Sequence, residues 1–339
     1  MVATKGLSVP LPWPGFAVPS LSVFLAAEEA AGARTLWVLG DVGHRVAGVL
    51  TADRRRGGAA GVAAAALHAR VPVVATEDVD DAMLAEILRE EHVDLLLNVH
   101  SLRILSPDVL AVPMIGSFNL HPGPLPGFAG LNAPSWAIYE GAKRYGCSLH
   151  WMTPEVDAGP VAYRATFDLD PNDTGLSLSL RCVRHGLGQI QQLLADAADS
   201  GRAAIPAHEQ PQSERRYLRR GPPGGGYLPW AESAARVEAL VRASTFDPFP
   251  SPWGTPVTFV DGTRVSIRRV SRTEDPAETT PGTIGDSMED GVRVAARDEW
   301  VLVREVEIDG ARSAPESVLP LGGSCQPAAT VEQLTTGRS

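Results

Sequence analysis

LSVFLAAEEAAGARTLWVLGDVGHRVAGVL, residues 21–50, sets the fold. Its first five residues form a short apolar run, residues 28–39 an alanine-rich amphipathic stretch, and residues 44–50 a second apolar run, so the chain opens as strand, helix, strand. The alternation continues outward. Residues 59–69 are helix-like, 71–75 strand-like, 81–91 helix-like, and 93–99 an apolar strand. Short apolar strands alternating with helices imply a parallel sheet covered on both faces, and the fold class is α/β of Rossmann-like type. Ligands in such sheets bind beyond the carboxyl ends of the strands. The loops after Val99 and Phe118 are therefore where chemistry is sought.

Composition bounds the rest. A chain of 339 residues exceeds one comfortable core, and the 44% hydrophobic and 21% charged fractions are those of folded globular protein. The net charge of -10 disfavours tRNA or any other polyanion as a partner. Cys147, Cys182 and Cys325 form no CxxC pair or metal-spaced cluster, so neither a zinc site nor a disulfide framework is expected, and a reducing cytoplasm fits. No run of eighteen apolar residues suggests a membrane span.

Residues 1–205 are expected to form the sheet domain. Residues 206–226, which end in GPPGGG, are expected to be a linker, because glycine and proline oppose a long helix or central strand. Beyond it, residues 231–244 look helical. Strand-like runs at 257–260, 264–270, 291–296 and 300–306, with turns at Asp261-Gly262 and Asp309-Gly310, predict a small mostly-β, OB-like domain over 227–320. Residues 321–339 carry few large apolar side chains and are expected to be a flexible tail.

Two stretches carry chemistry. Residues 116–134, GSFNLHPGPLPGFAGLNAP, begin as a strand and become a Gly/Pro-rich loop. Asn119 and His121 are two apart and share one side of an extended strand at its carboxyl end. Residues 147–160, CSLHWMTPEVDAGP, read as a strand followed by a turn that sets Asp157 at the mouth of the sheet.

Asn119-Leu-His121, the following Pro-Gly-Pro-Leu-Pro, Gly130, Pro134 and then Asp157-Ala-Gly after a strand containing His150 resemble the signature of the folate-dependent formyltransferases. The downstream pattern LPW at 228–230, VRA at 241–243, PFP at 248–250 and PGTI at 281–284 is similar to the carboxyl-terminal barrel of that family. The resemblance implies a formyl donor, 10-formyltetrahydrofolate, no metal, and Asn119, His121 and Asp157 as the catalytic centre. It places Leu102, Ile104, Gly123, Pro124, Leu125, Pro126 and Val156 against the folate. The segments at 129–136 and 150–152 look most like the assembly-line subgroup, which makes non-ribosomal peptides. The implied acceptor is then a small-molecule amine or an aminoacyl carrier protein, with other assembly-line proteins as partners; methionyl-tRNA formylation and non-catalytic folate binding are the alternatives. Two departures stand out: the common Ser-Leu-Leu-Pro is here Gly-Pro-Leu-Pro, and the common Arg-Gly is Ala129-Gly130.

Amine formylation needs a donor to the developing negative charge on the formyl oxygen and a group that takes a proton. Asn119 suits the first task. His121, its pKa raised by Asp157, suits the second or donates as an imidazolium. Glu28 and Glu29 in the first loop could capture a cationic amine. His100 and His150 read as structural, Trp136 and Trp151 as packing groups, and the basic runs at 54–56 and 215–220 as solvated faces.

Overall fold

The computed structural model describes residues 20–52 and 61–326. The Arg54–Arg56 run, the start of the helix expected at 59–69, and the tail beyond residue 326 lie outside the described residues. In chain order the first domain comprises β1 (Ser22–Ala27), α1 (Glu29–Asp41), β2 (Arg45–Thr51), α2 (Val62–His68), β3 (Val73–Ala75), α3 (Asp81–Glu90), β4 (Leu95–Val99), α4 (Pro107–Leu110), β5 (Gly116–His121), β6 (Ala129–Gly130), α5 (Ala133–Glu140), β7 (Arg144–Trp151), β8 (Val161–Asp168) and α6 (Gly175–Ser200). Its seven-stranded sheet has the order β3-β2-β1-β4-β5-β7-β8. The first five strands of that order are parallel, as their helical crossovers require, whereas β7 pairs antiparallel with both β5 and β8.

The parallel strands are buried throughout β1 and β4, which is why they read as unbroken apolar runs. One face packs on α1, α2 and α6 through Leu36, Leu39, Val62, Ile190 and Leu193; the other packs on α3 and α4 through Leu84, Leu88 and Val109. The 26-residue α6 has no counterpart in the sequence reading. Its three glycines and three serines lower helix propensity. Its start is nonetheless fixed by a capping box between Thr174 and Ser177, and its buried face by Leu178, Cys182, Val183, Leu193 and Leu194.

The second domain contains α7 (Ala234–Ala243), β10 (Val257–Val260), β11 (Thr263–Pro276), β12 (Ile284–Met288), β13 (Gly291–Ala295), β14 (Glu299–Ile308), β15 (Ala311–Ser313), α8 (Pro315–Val318) and β16 (Cys325–Gln326), preceded by the short β9 (Tyr217–Leu218). The all-antiparallel sheet runs β12-β13-β14-β11-β10-β16, with β15 on β14. Its two ends meet: Ile284 N–H donates to Gly323 O (2.9 Å) and Cys325 N–H to Gly282 O (2.8 Å), closing the sheet into a barrel.

Residues 206–226 differ from a free linker. They contain no long helix or central strand, as their composition requires, but they are docked along the sheet domain. Val161 and His208 exchange backbone hydrogen bonds, β9 pairs parallel with β6, and Trp151 Nε1 donates to Pro206 O. The two domains also share one apolar core, in which Ile138, Tyr145, Leu178 and Cys182 join Trp230, Val237, Leu240, Val265 and Val303.

Candidate active site

Parallel pairing of β4 with β5 and antiparallel pairing of β5 with β7 bring three strand ends together. Asn119 stands opposite Asn98 on one side and His150 on the other. His121, two residues on, shares the Asn119 side of the sheet, so both point where the 153–160 turn brings Asp157. Asp157 adopts left-handed backbone (φ 56°) and is only 6% exposed; His121 and His150 are 4% and 2% exposed.

The hydrogen bonds determine where the protons sit. His121 Nε2 is 2.6 Å from the carbonyl oxygen of Phe128, and a carbonyl only accepts, so Nε2 carries the hydrogen and Nδ1 is the bare nitrogen. That Nδ1 faces Asp157 Oδ2 at 3.5 Å. His150 is the opposite tautomer: Nδ1 donates to Trp151 O (2.8 Å), leaving Nε2 to accept from the Asn119 amide at 3.0 Å. The second amide hydrogen of Asn119 goes to Asp157 Oδ1 (3.3 Å), and Gly130 N–H donates to Asp157 Oδ2 (2.8 Å). Asn119 must release one of these bonds before it can donate to anything else.

Burial acts to raise the Asp157 carboxyl, yet the charge that His121 takes on in acid, together with the neighbouring His150 and the Gly130 N–H, outweighs it and holds the group below the usual carboxylate range. For His121 the balance goes the other way. Burial pushes its pKa below the ordinary imidazole value in spite of Asp157, which corrects the expectation of a raised value and of an imidazolium donor. The centre thus combines an ionised Asp157 with a His121 whose burial favours the neutral ring.

His150 is the residue that sequence reasoning missed. In the sequence it reads as structural, whereas in the fold it holds the Asn119 amide and lies 3.5 Å from Asp157 Oδ1. Only the register of β7 on β5 reveals this, and that register is a long-range property. His100 lies one strand away, at the end of β4, with Nδ1 3.5 Å from Glu29.

The residues expected to face a folate divide into two groups. Leu102, Ile104 and Val156 are exposed large apolar side chains (66%, 73% and 38%) on loops at the carboxyl edge of the sheet. Met152 packs with Leu105 and Val109, which brings the 152–156 segment beside the 101–106 loop. Gly123 and Pro124 lie in the loop after His121. Gly123 has no room for a side chain: a Cβ there would lie 2.8 Å from both His121 Nε2 and Phe128 O. Leu125 and Pro126 are buried, with Leu125 packed on Ala129 and Val161 and its N–H bonded to Ser148 Oγ, so the Leu125 side chain supports the loop from inside.

The acidic first loop is also differently employed. Glu28 accepts from Ala52 N–H (2.8 Å) and the Thr51 hydroxyl (3.2 Å), so its carboxylate ties β1 to β2 and is not free to capture an amine. Among the described residues no group of three or more His, Cys, Asp or Glu could hold a metal, and no helix is long and apolar enough to cross a membrane.

Comparison with known proteins places these features. Residues 44–190 match the Formyl transferase family and residues 223–318 the family's C-terminal domain. The chain is 28% identical over 299 residues to a methionyl-tRNA formyltransferase of Roseiflexus castenholzii, covering 86% of this chain and 93% of that protein. Among solved structures, the fold is similar to WlaRD, a sugar 3N-formyl transferase crystallised with dTDP and 5-N-formyl-THF (TM-score 0.64, 14% identity, 84% of this chain and 97% of that one). It is also similar to an N-formyltransferase from Helicobacter canadensis in complex with folinic acid and dTDP-3-aminofucose (TM-score 0.63, 14% identity, 84% and 99%).

Proposed function

From the premise that the chain belongs to the formyl transferase family, we propose that it moves the formyl group of 10-formyltetrahydrofolate to the amine of a small or carrier-tethered amino-acid-type acceptor. The observation that carries this reading is the ionised Asp157 beside the bare Nδ1 of a neutral His121. That pair is a proton acceptor, and an amine that acquires an acyl group must lose a proton. Asn119, held by His150 and Asp157, turns its amide towards the formyl oxygen as charge develops there.

The apolar surface suits the donor. Leu102, Ile104 and Val156 leave exposed hydrophobic area beside a buried polar centre, which a flat pterin ring would cover, and both sugar formyltransferases of the same fold hold a folate derivative. The bound folate supplies an activated formyl carbon. This chain's own residues orient it through the 101–106 and 122–126 loops and receive the amine proton at the His121–Asp157 pair.

Charge supports a small acceptor. The chain carries -10, and the basic residues of the 215–220 run are partly neutralised, Arg215 by Glu155 and Arg216 by Glu140. The second reading, formylation of methionyl-tRNA, is favoured by the relative that is 28% identical. An amine panel comprising free amino acids, aminoacyl carrier proteins, amino sugars and charged initiator tRNA, incubated with 10-formyltetrahydrofolate and read by mass spectrometry, separates the two. Product on tRNA with none on free or carrier-bound amino acids would reverse the ranking.

Gly123→Ala tests the loop. The new methyl displaces the His121 ring or the Phe128 carbonyl, and kcat is expected to fall roughly tenfold or more, with a stability cost of about 1–3 kcal/mol from overpacking. Steady-state kinetics beside a thermal melt check it; an unchanged kcat would show that the ring is not positioned by this contact.

A further inference from the structure

We propose that Gln210 is a positioning residue for the Asp157 carboxylate, which makes the 206–220 segment a working part of the site. The inference rests on the formyl-transfer reading above.

Asp157 needs help to stay where it is. Left-handed backbone is uncommon even for aspartate, which visits it more readily than most residues, and contacts around the turn fix it here. Gln210 does the holding. Its Nε2 donates to the carbonyl of Asp157 (2.9 Å) and to the carbonyl of Gly159 (2.6 Å), clamping both ends of the turn. Two carbonyl acceptors leave no ambiguity about which end of the amide faces them. Gln210 is 7% exposed, and its Oε1 is buried without a hydrogen-bond partner. An amide buried with one end unpaired is unfavourable for a residue that merely fills space.

The same segment grips the turn and the opposite side of the carboxylate. Arg215 donates to Val156 O (2.7 Å) and pairs with Glu155 (3.0 Å), one and two residues before Asp157. Further on, β9 pairs with β6, and it is the Gly130 N–H of β6 that donates to Asp157 Oδ2. The carboxylate is thus located between two elements that are both fastened to residues 206–220, while Asn119 and His121 are placed by the sheet itself.

The test uses the full chain with Gln210→Ala and the nearly isosteric Gln210→Glu, each alone and combined with Asp157→Asn. Both single variants are expected to lose kcat by ~10-fold or more, with the KM for 10-formyltetrahydrofolate within about twofold of the parent. In the Asp157→Asn background neither should lower kcat further by more than about twofold, because Gln210 acts through that carboxylate. Should the alanine variant fail to fold, the glutamate variant decides, since it keeps the volume and loses the donor hydrogens. A single variant with parental kcat overturns the inference. So does the same fractional loss in both backgrounds, which would mark Gln210 as structural glue. An unimpaired Asp157→Asn removes the catalytic centre and this inference with it, whereas an impaired Asp157→Asn beside an unimpaired Gln210→Ala removes this inference alone.

Discussion

Asp157→Asn and His121→Ala are each expected to lower kcat by at least roughly a hundredfold, the scale of one general acid or base, while the chain still unfolds in one cooperative transition. Asparagine keeps an oxygen for the Gly130 N–H but removes the charge that makes the pair a proton acceptor. His121→Ala removes the bare Nδ1 itself. Because burial lowers the His121 pKa, turnover of the parent is expected to fall on acidification at a lower pH than titration of a free imidazole would give. The linkage sign for Asp157 agrees. Its folded-state value is depressed, so its contribution to stability is present above the ordinary carboxylate range and is lost as pH falls towards the depressed value. Stopped or initial-rate assays across pH with both variants provide the check; normal turnover in either one sinks the assignment of that residue.

The second large effect concerns the boundary. A chain ending at residue 205 is expected to lose its cooperative unfolding transition and to bind hydrophobic dyes, contrary to the independent folding that a Gly/Pro-rich linker suggests. Truncation there uncovers Ile138, Tyr145 and Leu178, each buried to within 1% in the shared core. At roughly 1.5–3 kcal/mol per large side chain, exposing these three alone approaches the whole stability of a typical domain, about 5–15 kcal/mol. The truncated chain also loses the Gln210 clamp on the Asp157 turn and the β9 partner of β6. Calorimetry on the fragment decides: one sharp transition near the parent's would show that the sheet domain stands alone.

How much of this was legible in the sequence depends on the range of the interaction that decides each feature. The βαβ opening and the strand end at Val99 are local patterns of apolar residues and appear where periodicity puts them, whereas β5 runs on to His121, three residues past the Phe118 after which a loop is expected. Asn119 and His121 are legible because a strand repeats every two residues. Asp157 is legible through its turn and the family resemblance. His150 is not, because its role exists only once β7 is laid antiparallel on β5 with Asn119 opposite. The protonation of His121 escapes the sequence for a related reason: the neighbouring carboxylate is visible in a motif, but the burial that overrides it is not. Gln210 is hidden deeper still, within a segment whose composition says linker and whose hydrogen bonds say otherwise.

The opposite tautomers of the two imidazoles bear on the direction in which the proposed proton transfer runs. His121 Nε2–H and His150 Nδ1–H are each committed to a backbone carbonyl, and both hydrogens of the Asn119 amide and the Gly130 N–H are committed within the centre. No loose hydrogen is left on these four groups to be handed out, and what remains open is His121 Nδ1 with the lone pairs of Asp157. On the proposed reaction the resting centre therefore takes a proton before it gives one: the hydrogen that the incoming amine loses is the one the departing folate nitrogen must gain, and handing it on resets the pair.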